Sequence, residues 1–357
     1  MSYTLKGRGT AWLIDHRLAR QQREPCEEPQ PTDPDLDPLH PAPVPTLVVQ
    51  ERASSIVNRN DSPDIGFDLS INPYRGCEHG CVYCYARPTH AYLDLSPGLD
   101  FETRIVAKVN AAERLKKTFD APKYQPRPLV LGTVTDAYQP SERRLKITRE
   151  VVEVLCAYQH AFSVITKSSL IERDTDLLQE MAQRRAVCAV VSVTTLDARL
   201  SRLMEPRASA PHRRLQTIER LAHAGVPVGV SVSPLIPFIN EPELERILEA
   251  ASNAGATFAF GVVVRLPWEV APLFKQWLVD NYPDRAERVM ARIRDMRGGR
   301  DNDARFGTRM KGEGVWADLL RTRLRVGMHK YGLSAQHPEL DLSLFRRPES
   351  TAQASLF

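Results

Sequence analysis

Six short apolar, β-branched runs alternate with five segments of helical period, and this alternation restricts the fold more than any other feature. The runs lie at 67–71, 128–133, 162–166, 187–194, 226–233 and 258–264, and the helical segments at 102–119, 143–159, 171–184, 213–224 and 242–254. Segment 171–184 follows polar Ser168 and Ser169. The last two segments stop near Ala224-Gly225 and Ala254-Gly255, where glycine accepts the left-handed backbone that ends a helix. Alternating strands and helices predict an α/β fold with a parallel sheet covered on both faces, wound in one sense by right-handed crossovers. Six units fall short of the eight that close a full barrel. The expected architecture is an open, partial TIM-type barrel, with a doubly wound sheet as the alternative.

Both architectures bind ligands at the C-terminal ends of their strands, which orders the polar residues. A loop bearing Cys77, Cys81 and Cys84 follows the first strand. Thr133-Val-Thr-Asp136 follows the second, Lys167-Ser-Ser169 the third, Thr194-Thr195 the fourth, 234–240 the fifth, and Arg265-Leu-Pro-Trp268 the sixth. Cys188, at the start of its strand, and Cys156, late in a helix, read as ordinary buried cysteines.

The cysteine loop reads Asn72-Pro-Tyr-Arg-Gly-Cys-Glu-His-Gly-Cys-Val-Tyr-Cys-Tyr85, with spacing C-x3-C-x2-C. Clustered thiolates suit zinc or an iron–sulfur centre. Three of them can hold three corners of a [4Fe–4S] cube and leave the fourth iron open to chemistry. A zinc site would need a fourth donor, from His79 or His90. Structural zinc loops usually pair two C-x2-C knuckles or add a distant H-x3-H, so a compact triad directly after a first strand favours the cluster. Gly76 and Gly80 let such a loop turn tightly.

The rest of the chain sets limits. Its 357 residues are 42% apolar and 26% charged, as in a globular protein. No apolar run reaches the length of a membrane span, and the N-terminus lacks the apolar core of a secretory signal, so a cytoplasmic location is expected. Six cysteines, three of them clustered, do not resemble a disulfide framework. Residues 24–45 carry eight prolines and six acids, which excludes a helix or central strand and predicts a linker or surface arm. Residues 285–325 carry twelve Lys or Arg against six Asp or Glu, a local +6 within a total of +4. Such a segment suits a phosphate-bearing partner such as nucleic acid, or equally a solvated helical face. The expected organisation is an N-terminal arm and Pro-rich linker over 1–65, a core over 66–270, and a basic helical C-terminal extension over 271–357.

With Tyr83 just before its last cysteine, the loop resembles the radical S-adenosylmethionine (radical SAM) superfamily over roughly residues 66–270. Ser70-Ile-Asn-Pro-Tyr-Arg-Gly-Cys77 and Cys84-Tyr-Ala-Arg-Pro-Thr-His90 resemble its DNA-repair photolyase-like branch, the relatives of spore photoproduct lyase. Lys6-Gly-Arg-Gly9, Arg297-Gly-Gly-Arg300 and Arg305-Phe-Gly-Thr-Arg-Met310 resemble an uncharacterised bacterial subgroup of that branch. The resemblance implies a partial (β/α)6 barrel, a [4Fe–4S] cluster on Cys77, Cys81 and Cys84, and S-adenosyl-L-methionine chelating the open iron. One electron from an external donor of flavodoxin or ferredoxin type cleaves a C–S bond, and the 5′-deoxyadenosyl radical abstracts hydrogen from a substrate.

Cofactor-binding roles then fall to Tyr83 near the adenine or cluster, to Thr135 and Asp136 at the ammonium, and to Lys167 at the carboxylate. Ser192 and Thr194, on one face of their strand, and Arg265 complete the set. Spore photoproduct lyases place a hydrogen-donating cysteine where this chain has Thr133, whose O–H bond is far stronger than S–H. The lyase reaction itself is therefore not implied, and Tyr138 is the nearby alternative donor. No second cysteine-rich segment follows residue 270, so a single cluster is expected. The enzyme reading, on nucleic acid or on a peptide or small metabolite, competes with a zinc-stabilised, non-catalytic nucleic-acid-binding protein.

Overall fold

The computed structural model describes residues 5–19 and 44–348. Most of the Pro-rich stretch 24–45, with Cys26, lies outside these residues. Among the described residues ten strands form two sheets: β1 (Leu47–Glu51), β2 (Val57–Arg59), β3 (Leu69–Ile71), β4 (Tyr74–Arg75), β5 (Arg104–Lys108), β6 (Leu129–Leu131), β7 (Phe162–Thr166), β8 (Val187–Ser192), β9 (Val228–Ser231) and β10 (Phe258–Phe260). The larger sheet has the order β10-β9-β8-β7-β6-β3-β2. Its members β3 and β6 to β10 run parallel, and β2 adds an antiparallel edge. These six parallel strands are the six apolar runs of the sequence. The sheet does not close between β10 and β2, which makes it a partial (β/α)6 barrel.

Helices Ala111–Asp120, Ile147–Ala157, Thr175–Gln183, Pro211–His223 and Leu244–Asn253 cover its outer face. Every residue of β8 is buried, as a strand covered on both faces requires. The main core joins the barrel strands to Leu115, Phe119, Val151, Leu155, Leu178, Ile218, Leu221 and Ile247 of those helices. Helices Val270–Asn281, Pro283–Asp295 and Gly314–Lys330 follow the barrel, and the last packs on Leu244–Asn253.

One element differs from the sequence expectation. The helix expected over 102–119 is a short turn at Asp100–Thr103, then β5, then the helix Ala111–Asp120. Ile105 and Ala107 point inward from β5, which pairs with β1 in parallel and with the two-residue β4 in antiparallel. Cross-strand pairing outweighs a helical period that local sequence supports only weakly. This second sheet, β1-β5-β4, matters because β4 leads directly into the cysteine loop.

His160 links packing to pH. Its imidazole is fully buried and stacks on Phe119 at 4.7 Å. The Nδ1–H donates to the Ala161 carbonyl at 2.8 Å, and Nε2 accepts from the Tyr124 hydroxyl at 2.8 Å, an arrangement that uses the neutral ring. Burial holds its pKa down at about 4. The unfolded chain protonates near pH ~6.5, so stability falls as pH drops from there to about 4 and then levels off, a loss of ~3 kcal/mol from this residue. Denaturant titrations of wild type and His160→Gln across that range should show the slope weakened in the variant; identical slopes would disprove the assignment.

Candidate functional site

The cysteine loop leaves β4 through Gly76 (φ 76°) and turns again at Gly80 (φ 67°), backbone that a β-carbon would strain. The Cys77 N–H donates to the Phe101 carbonyl at 2.8 Å, and the Val82 N–H to the Met204 carbonyl at 3.1 Å. Gln139 clamps the loop from the second-strand end, accepting from the Glu78 N–H at 2.9 Å and donating to the Gly76 carbonyl at 3.2 Å. Cys77 and Cys81 are buried, Cys84 is half-buried, and all three are free thiols.

The Cys77 thiol lies within electrostatic reach of both Cys81 and Cys84. Burial raises the Cys77 pKa well above normal, and Asp136, Cys81 and Cys84 each add to it. Burial raises Cys81 likewise, with Glu205 adding and Lys167 opposing. A metal centre relieves such a set by taking the thiols as thiolates. Among the described residues, no group of three His, Cys, Asp or Glu side chains is arranged to hold a single ion. A structural zinc draws four donors to within about 2.0–2.3 Å of one centre, whereas a cube takes each thiolate on a different iron. Each of the two histidines weighed as zinc donors uses one ring nitrogen within the protein: His79 Nδ1 lies 3.3 Å from Asp136, and His90 Nε2 lies 3.0 Å from the Arg104 carbonyl oxygen. The donor set fits the cluster.

The strand ends bring some of the sequence-selected residues together. The Lys167 ammonium lies 6.0 Å from the Tyr83 ring centre. Thr194 is fully buried, and its Oγ1 has no hydrogen-bond partner, an open polar atom at the end of the fourth strand. Ser192 is buried beside it, with its carbonyl accepting from Arg214 at 3.1 Å. The Arg265 guanidinium lies 5.8 Å from the Tyr85 ring centre, and its Nη1 meets Met310 Sδ at 3.2 Å.

Other members of the set are tied into the framework. Asp136 accepts from the Tyr138 N–H, the Thr166 hydroxyl and the Lys167 N–H at 2.7–2.9 Å and also faces His79. Burial pushes its carboxyl up, but His79 and these donors outweigh it and hold the pKa at about 2. The Thr135 hydroxyl donates to the Tyr74 carbonyl at 3.1 Å. Tyr138 is fully buried in the main core.

Sequence reasoning missed two buried ion pairs that frame the loop. Arg214 pairs with Glu205, and Glu205 also accepts from the Tyr83 hydroxyl. Arg87 pairs with Glu102 at 2.5 Å and donates to the carbonyls of Cys81 and Gly80. No local signal marks them, since the partners of each pair are not identifiable from spacing.

Fold and site together define a partial barrel that carries a thiol triad at the C-terminal end of its first strand. The family model of the Radical SAM superfamily matches residues 71–251. The uncharacterized protein Rv2578c of Mycobacterium tuberculosis is 32% identical over 297 residues, covering 82% of each chain. The uncharacterized protein MJ0683 of Methanocaldococcus jannaschii is 24% identical over 242 residues, covering 68% of this chain and 86% of its own. Among solved structures, spore photoproduct lyase complexed with dinucleoside spore photoproduct aligns with a TM-score of 0.54 at 16% identity, covering 80% of both chains. A point mutant of that lyase aligns with a TM-score of 0.55 at 15% identity, again over 80% of both. The chain belongs to the radical SAM superfamily. That family uses a [4Fe–4S] cluster and S-adenosylmethionine, and its members are generally enzymes supplied by an external electron donor. Among the described residues no helix is long and apolar enough to cross a membrane.

Proposed function

We propose that this chain is a radical SAM enzyme that cleaves S-adenosylmethionine reductively and starts hydrogen abstraction on a substrate held at the strand-end face. The observation that carries the reading is the triad of free thiols, Cys77, Cys81 and Cys84, on one loop at the mouth of a parallel barrel. Cys77, Cys81 and Cys84 would bind three irons as thiolates, and the bound cluster and cofactor supply the electron and the bond cleavage. The chain's own residues bind and orient. Thr194 Oγ1, buried without a hydrogen-bond partner, and Ser192 are the hydroxyls for the cofactor. Lys167 carries the charge for its carboxylate, and Tyr83 packs beside the cluster. Asp136 holds His79 and the Lys167 backbone in place, leaving little capacity to bind an ammonium directly.

For the substrate, nucleic acid is the reading suggested by the basic segment 285–325. Six of its twelve basic residues are in ion pairs, and Arg297 is buried on the carbonyls of Val263 and Val264, so much of that charge is spent within the extension or in tying it to Asp64, Glu241 and the sixth strand end. Thr133 stands where a thiol hydrogen donor would be needed, which argues for a reaction other than the lyase's own. Anaerobic reconstitution should load about four irons per chain, and dithionite with S-adenosylmethionine should then yield 5′-deoxyadenosine. A fully loaded protein that makes none would overturn the proposal.

A further inference from the structure

The segment Lys6-Gly-Arg-Gly9 has no part in the site as described, yet it touches the back of the cysteine loop. We propose that residues 8–12 form a positioning strap for the iron–sulfur centre, in which Arg8 and Gly9 fix the Gly80–Cys81 backbone through Glu102 and Arg87. The inference rests on the cluster reading of the loop.

Arg87 is fully buried, and its guanidinium is saturated. Nε donates to the Cys81 carbonyl at 2.9 Å, Nη2 to the Gly80 carbonyl at 3.1 Å, and Nη1 to the carbonyls of Gly98 and Pro97 at 2.8 and 3.2 Å. Its remaining contact is Glu102, also fully buried. The other carboxylate oxygen of Glu102 accepts from the Gly9 N–H at 2.8 Å, and the Glu102 carbonyl accepts from Arg8 Nη1 at 2.8 Å. Arg8 Nη2 continues to the Val44 carbonyl at 2.6 Å and the Thr46 hydroxyl at 3.0 Å, and that hydroxyl donates to Glu78 inside the loop at 2.9 Å. The arm therefore holds the loop at Glu78 and at Gly80–Cys81.

Contact is as close as backbone allows. A β-carbon built on Gly9 would lie 1.8 Å from the Gly80 carbonyl oxygen, and one on Gly98 would lie 1.9 Å from the Trp12 carbonyl oxygen. These clashes are with backbone, so a larger residue at position 9 must displace the arm or the loop. Beyond Gly9, the Trp12 carbonyl accepts from the Leu99 N–H at 3.0 Å, and Arg17 pairs with Glu269 after the sixth strand at 3.1 Å. The strap thus runs from the cysteine loop to the far edge of the open barrel without entering its core. Partners of this kind set the geometry of metal ligands, and their loss typically costs 10–100-fold in metal affinity.

Full-length wild type, Arg8→Lys and Gly9→Ala should be compared after anaerobic reconstitution. Arg8→Lys keeps the charge but loses the fork that reaches three acceptors. Both variants should lose iron to a chelator at least about 10-fold faster than wild type and show an altered electron paramagnetic resonance signal when reduced. Melting of the iron-free chains should fall far less than iron retention does. Iron retention and signal equal to wild type in both variants would overturn the strap while leaving the cluster reading intact. Iron loss that merely tracked lowered melting of the iron-free chains would also overturn it, as a general folding effect. Wild type that holds no iron would remove the cluster reading and the strap together.

Discussion

Replacing Cys81 with alanine should reduce iron from about four per chain to less than one and abolish 5′-deoxyadenosine formation. The side chain is small and lies at the rim of a core with Val82, Leu200, Met204 and Leu266, so the iron-free fold should lose no more than ~1 kcal/mol. Cys188→Ala is the matched control. That thiol is buried in β8, burial pushes its pKa up to about 12, and its loss should leave iron content unchanged. Equal iron in Cys81→Ala and wild type would eliminate the three-thiol cluster.

Arg214→Met should destabilise the protein by ~3–5 kcal/mol, because it strands Glu205 as a buried charge. Arg214 donates to the carbonyls of Ser209 and Ser192 as well as to Glu205, and all of these contacts lie between the fourth strand and the Tyr83 hydroxyl. Burial already pushes the Glu205 carboxyl above its usual range, with Arg214 pulling it back. Without Arg214 the carboxyl rises further. The penalty is then fullest at pH values where the variant's carboxyl is still ionised, and it shrinks as falling pH protonates it in the folded state. Denaturant unfolding at pH 8 and pH 5 should therefore show a smaller deficit at pH 5. The double variant Glu205→Gln/Arg214→Met should recover much of the loss. A single variant as stable as wild type would refute the buried pair.

The barrel was legible because its strands are apolar on both faces and two of its helices end at glycines, both local signals. The cysteine loop was legible because its donors lie within one turn-rich segment. The sheet of β1, β4 and β5 was not, since a two-residue strand carries no period and 104–108 imitates a helix until Leu47–Glu51 pairs with it. The ion pairs around the loop escaped for a related reason. Arg87 and Glu102 stand 15 residues apart, and Tyr83 and Glu205 stand 122 apart; only the folded chain makes them neighbours. The same limit applies to Asp136, whose place at a strand end is readable but whose four contacts are not.

Two sheets, a glutamine and two arginine–glutamate pairs grip the cysteine loop through contacts that use none of its thiols. A socket built this way is ready-made, unlike small domains that stay unfolded until metal organises them. Where the framework itself orders the loop, little chain entropy is left to lose on loading, and the binding energy goes into affinity.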